Sequence, residues 1–80
     1  MIFKLPTQLS GSKIIKTLKK FGFQVKRQGR GRHVFLVKYN DDGSKIVTSV
    51  PVRDRRIGPG LLREILRQTK ISKEDFINEL

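Results

Sequence analysis

Cysteine is absent from this chain of 80 residues, and histidine occurs once, at His33. Without Cys there is neither a disulfide framework nor a thiolate metal site. One histidine among scattered carboxylates gives no metal-ligand spacing of the usual kind, so metal and cofactor are both expected to be none. No apolar run approaches the ~20 residues a membrane helix needs. The segment from Met1 to Gln8 is too short and too polar for a secretory signal. These absences predict a soluble, cytoplasmic chain that forms one small domain over residues 1–80, with only a modest core.

Acid is scarce as well, and its placement is uneven. Lys and Arg number 18 against 7 for Asp and Glu, a net charge of +11. Before Asp41 there are ten Lys or Arg and no acid at all. An ordinary solubilising surface mixes both signs. A field of one sign attracts polyanions and releases their counterions, which favours nucleic acid as partner, with an acidic protein exploiting the same field.

What is present reads in the order α-β-β-β-α-α. Ser10 is a good N-cap, and Ile14, Ile15, Leu18 and Phe21 follow at helical spacing, so a helix spans about residues 11–21. Lys13, Lys16, Lys19 and Lys20 give it a solvated basic face, and Gly22 is placed to end it in the left-handed conformation. Residues 23–27 alternate apolar and polar as a half-buried strand does. His33 to Tyr39 reads as a second strand, residues 40–43 as a hairpin turn with Asp-Gly chemistry, and residues 44–50 as a third strand ended by Pro51. Pro59 suits the first turn of a helix whose apolar side is Leu61, Leu62, Ile65 and Leu66. Arg63, Arg67 and Lys70 recur along that helix as a basic stripe. Ser72, with Asp75 in the capping-box position, opens a short last helix. Three antiparallel strands covered on one face by helices is the α+β solution for so short a chain.

The chemistry concentrates at Gly29-Arg30-Gly31-Arg32-His33, between the first two strands, with Lys26 and Arg27 just before it. A Gly/Arg turn brings backbone N–H groups and guanidinium forks to a phosphate, and a histidine beside it can move a proton. Those are the parts of an RNA-cleaving site. They equally suit an RNA-binding loop with an incidental histidine. Strand alternation puts His33 on one face with Phe35, Val37 and Tyr39, a face that could be the core; Tyr39 fits core or hairpin packing, with base stacking the alternative.

The chain as a whole resembles the HicA-type toxins, the YcfA-like family of small mRNA interferases from toxin–antitoxin modules. The resemblance rests on Leu5-Pro6, Ser10-Gly11, Phe21-Gly22-Phe23, Arg27-Gln28, Gly31-Arg32-His33, Asp42-Gly43, Val50-Pro51, residues 60–68, Ile71-Ser72 and Phe76. Each motif is weak alone, and their order and spacing carry the likeness. It implies a double-stranded-RNA-binding-domain-like fold and a ribonuclease of single-stranded mRNA that is neutralised by a HicB-type antitoxin. His33 occupies the position of the family's catalytic histidine. Arg30 and Arg32 are then the candidates for phosphate binding, and Lys26, Arg27, Gly31 and Arg53 for aligning the RNA backbone. Arg32 stands where the family has Ser, and Arg53 where a histidine is frequent. The alternatives are a non-enzymatic RNA- or DNA-binding module and a catalytically impaired toxin that still binds its antitoxin.

Overall fold

The computed structural model describes residues 9–28 and 33–80. The elements are α1 (Gly11–Lys20), β1 (Gln24–Gln28), β2 (His33–Tyr39), β3 (Lys45–Pro51), α2 (Pro59–Thr69) and α3 (Lys73–Asn78). The strands form one antiparallel sheet in the order β1-β2-β3. The predicted α+β arrangement, helix, three antiparallel strands and further helices, is the one observed, with element ends within a residue or two of the expected bounds.

Local chemistry explains the punctuation. Ser10 accepts a hydrogen bond from the Lys13 N–H and caps α1, and Gly22, at φ 94°, takes the left-handed position just beyond its end. The hairpin turn closes through the Gly43 N–H donating to the Asn40 carbonyl, with Gly43 at φ 90°. Asp42 accepts from both the Ser44 hydroxyl and the Ser44 N–H, and these bonds hold its carboxyl below the usual carboxylate range. Pro59 is the first residue of α2, where its missing N–H costs nothing. Ser72 caps α3 by accepting from the Asp75 N–H.

One face of the sheet is the core face. Val34, Leu36 and Val50 point there and join Ile14, Leu18, Ile57, Leu62, Ile65 and Phe76, each almost wholly buried. Thr48, on the same face, is buried and donates to the Gln68 side chain of α2 at 2.8 Å, so its hydroxyl is satisfied. Two expectations change here. Leu61 does not belong to the apolar side of α2: it is 42% exposed while Leu62, Ile65 and Leu66 are buried. Leu62, Ile65, Leu66 and Thr69 form the buried stripe of α2, and at 100° per residue Leu61 falls roughly 90° to one side of its centre. Tyr39 is not a core residue either, at 56% exposed. It shares with His33 the face turned away from the helices.

Gly60 lies in α2, and a Cβ built on it meets nothing within 4 Å. Gly60→Ala should therefore raise stability by ~0.4–1 kcal/mol, through the reduced freedom of the unfolded chain. Chemical denaturation checks this, and a lower midpoint with unchanged slope would contradict it.

Candidate nucleic-acid site

The site grows from where the strands end. β2 and β3 are antiparallel, with His33 opposite Pro51, Phe35 opposite Ser49 and Val37 opposite Val47. His33, the first residue of β2, is thus at the end of the sheet where β3 finishes. Pro51 then turns the chain: the Asp54 N–H donates to the Pro51 carbonyl at 3.2 Å, placing exposed Arg53 in the turn. The start of α1 is tied to the same turn, because the Gly11 N–H donates to the Asp54 carbonyl at 2.8 Å. One step further on, the Ile57 N–H donates to the Leu9 carbonyl at 2.7 Å. Residues 9–11 and 54–57 therefore run clamped side by side.

Gly11 permits this clamp, and the sequence pattern alone did not assign it a reason. A Cβ at Gly11 would lie 2.0 Å from the Pro51 carbonyl oxygen and 2.9 Å from its carbon. The readable signal was a glycine directly after a helix N-cap, in a place where helix propensity alone favours other residues.

His33 is exposed and belongs to the open face, which removes the reading of it as a core histidine. The loop that follows its cross-strand partner Pro51 carries three arginines and one acid, Asp54. Arg53, Arg55 and Arg56 are exposed in the loop after β3, and the first turn of α1 contains no acid to offset the positive end of its dipole. Arg30, Gly31 and Arg32 lie outside the described residues, and so does the Leu5-Pro6 motif. Arg27 contributes backbone to β1, opposite Phe35.

Lys26 takes another place. It stands where the β1–β2 register slips between Val25 and Arg27, and its ammonium lies 5.9 Å from the Tyr39 ring centre. That is near the opposite end of β2 from His33, about 20 Å along a strand at ~3.3 Å per residue. Lys26, Phe35, Val37, Tyr39, Lys45 and Val47 line an open groove between the strands. Val37 is buried although it is no part of the core cluster, so it forms the groove's floor.

The basic stripe on α2 is partly neutralised. Arg67 forms an ion pair with Glu64 one turn earlier, and that bond lowers the Glu64 carboxyl and raises the Arg67 guanidinium. Arg63 is exposed on the same helix, and Lys70 takes the left-handed position that ends it. Among the described residues, no helix is long and apolar enough to cross a membrane.

The comparisons with known proteins agree with this architecture. The family model described as the HicA toxin of bacterial toxin–antitoxin systems matches residues 11–71, from the start of α1 to just past the end of α2. No curated protein matches the chain. A match that takes in α1, the whole sheet and α2 is decisive: the chain belongs to the HicA family, the toxins of bacterial toxin–antitoxin modules.

Proposed function

We propose that this chain, folded as a single HicA-like domain over residues 1–80, is a cytoplasmic endoribonuclease that cleaves single-stranded mRNA without a metal. A HicB-type antitoxin holds it in check. The observation that carries the reading is the chain's single histidine, exposed at the first residue of β2 beside the arginine-bearing turn after β3, in a family of toxins. His33 takes the proton from a ribose 2′-OH, and the 2′-oxygen attacks the adjacent phosphorus. The bond to the 5′-oxygen then breaks, and that oxygen leaves with a proton from water or a lysine. The products are a 2′,3′-cyclic phosphate and a 5′-OH end. Arg30 and Arg32 bind the phosphate and offset its added charge. Lys26, Arg27, Gly31 and Arg53 align the RNA.

Incubation of the purified protein with single-stranded RNA in EDTA tests this directly. Shortened RNA with cyclic phosphate ends supports the enzyme. Intact RNA with a shifted band supports a binding module or an impaired toxin, and loss of cleavage in chelator overturns the metal-free scheme. The antitoxin needs only to deny RNA the basic face, so the acidic product of a neighbouring reading frame should co-purify and stop cleavage. A neighbour that binds while cleavage continues undiminished overturns that part.

Salt gives an independent check. Affinity for RNA should fall steeply with ionic strength, since each neutralised phosphate releases counterions. Replacing Arg30 and Arg32 together by Gln should flatten the slope of log affinity against log salt by ~1.4, at ~0.7 per single-strand contact. An unchanged slope puts the RNA elsewhere.

A further inference from the structure

The exposed side of the sheet is a single continuous surface. His33, Phe35, Val37 and Tyr39 alternate along β2 on that side, and Lys45, Val47 and Ser49 stand opposite on β3. Four of these seven, Phe35, Val37, Tyr39 and Val47, are aromatic or aliphatic, yet Tyr39 is 56% and Val47 47% exposed. Soluble domains seldom leave an aromatic and aliphatic patch open without a use for it. Of the described residues that line the groove, Lys26 and Lys45 are cationic and none is acidic, while Asp41 and Asp42 stand outside it in the turn that joins Tyr39 to Lys45. The Lys26 ammonium sits 5.9 Å from the Tyr39 ring centre, so a cation and an aromatic ring are presented together.

We infer that this open sheet face is a stacking platform for single-stranded RNA, with a base on Tyr39 and its phosphates on Lys26 and Lys45. The inference rests on the ribonuclease reading and extends it from one phosphate at His33 to a bound segment. Single-stranded nucleic acid is held in this manner generally, by aromatic rings for the bases beside cations for the backbone. Two further observations favour RNA over a protein partner here. The platform lies on the same face of the same strand as His33, so a strand anchored at Tyr39 reaches the histidine after ~20 Å of extended path. The groove pairs an aromatic with two lysines, a match for an anion that carries flat rings. Duplex RNA stacks its bases internally and offers none to Tyr39.

The chain provides its own probe, because it has one tyrosine and no tryptophan. A short single-stranded 2′-O-methyl RNA, which has no free 2′-OH and cannot be cleaved, is titrated into the full chain. Tyrosine emission, corrected for absorbance with free tyrosine amide, should fall saturably; a duplex of the same sequence should quench it far less. Tyr39→Ala should weaken binding by roughly 5- to 150-fold, the range for one stacked base, and Tyr39→Phe should retain it. Lys26→Ala and Lys45→Ala should each reduce affinity and the salt slope. Circular dichroism should show all four variants folded, since the altered side chains are exposed.

Saturable binding with unchanged emission and full affinity in Tyr39→Ala overturns the platform. So does a Tyr39→Ala protein that loses the acidic antitoxin but keeps RNA, which would make the face a protein interface. The uncleavable probe separates this inference from the catalytic one. Quenching by a wild-type protein that never cuts RNA leaves the platform standing and removes the nuclease. Cleavage of ordinary RNA without quenching does the reverse.

Discussion

His33→Ala should leave the protein folded and lower RNA cleavage by ~10²- to 10⁴-fold, the usual worth of a general acid or base. The size of the effect follows from composition: the chain has one histidine and no cysteine, so no second side chain that readily changes charge near neutral pH stands in reserve. The preservation of the fold follows from position. His33 is exposed at the first residue of β2, on the face away from the helices, and its removal opens no cavity. Surface changes of that kind stay within ~0.5 kcal/mol. Single-turnover cleavage and thermal unfolding should be measured on the same preparation. A folded variant that cuts at near the wild-type rate would falsify the catalytic role. A variant that fails to fold would return His33 to a structural part, against its exposure.

The order of elements was legible because this chain punctuates itself by local chemistry. Ser10 and Ser72 bond the N–H groups of helix first turns, Gly22 and Gly43 take the positive φ that glycine alone adopts without strain, and Pro59 opens α2. None of this needs distant contacts. The division of the sheet into two faces was also legible, since alternation along β2 separates Val34 and Leu36 from His33, Phe35, Val37 and Tyr39. Which face the helices cover was not. That choice depends on how α1 and α2 return across the sheet, and both sets contain apolar residues. Tyr39 was read as core or hairpin packing for this reason, and the same ambiguity left His33 between two roles.

The remaining surprises also depend on tertiary placement. Leu61 and Leu62 are chemically alike, yet the rotation of α2 about its axis buries one and exposes the other. Lys26 stands beside the register slip of β1 with its ammonium over Tyr39, whereas sequence proximity grouped it with the Gly/Arg stretch. A bulge has no marker in Gln24-Val25-Lys26-Arg27-Gln28, and a single extra residue suffices to re-aim a side chain. The candidate site was thus visible as a list of residues, but its division into a histidine end and a tyrosine end was not.

Among the glycines of the described residues, Gly11→Ala should be the most damaging single-methyl change, costing ~2–3 kcal/mol, at the upper part of the range for overpacking. The added Cβ would stand 2.0 Å from the Pro51 carbonyl oxygen, 2.9 Å from its carbon and 3.0 Å from the Val52 Cα, all backbone atoms that no rotamer change can move aside. Retreat of α1 would stretch the bond from the Gly11 N–H to the Asp54 carbonyl, now 2.8 Å, and strain the neighbouring Leu9–Ile57 bridge. A domain of this size has a net stability of only ~4–12 kcal/mol, so the loss is a sizeable share. It should also reach the chemistry, because the displaced turn bears Arg53 and begins at Pro51, the cross-strand partner of His33. Denaturant titration beside Gly60→Ala gives the clearest reading, as the same methyl should stabilise at position 60 and destabilise at position 11. Cleavage by Gly11→Ala, measured where the variant is still fully folded, should fall as well. Wild-type stability in that variant would mean that the start of α1 slides freely past residues 51–54, and the clamp beside His33 would lose its argument.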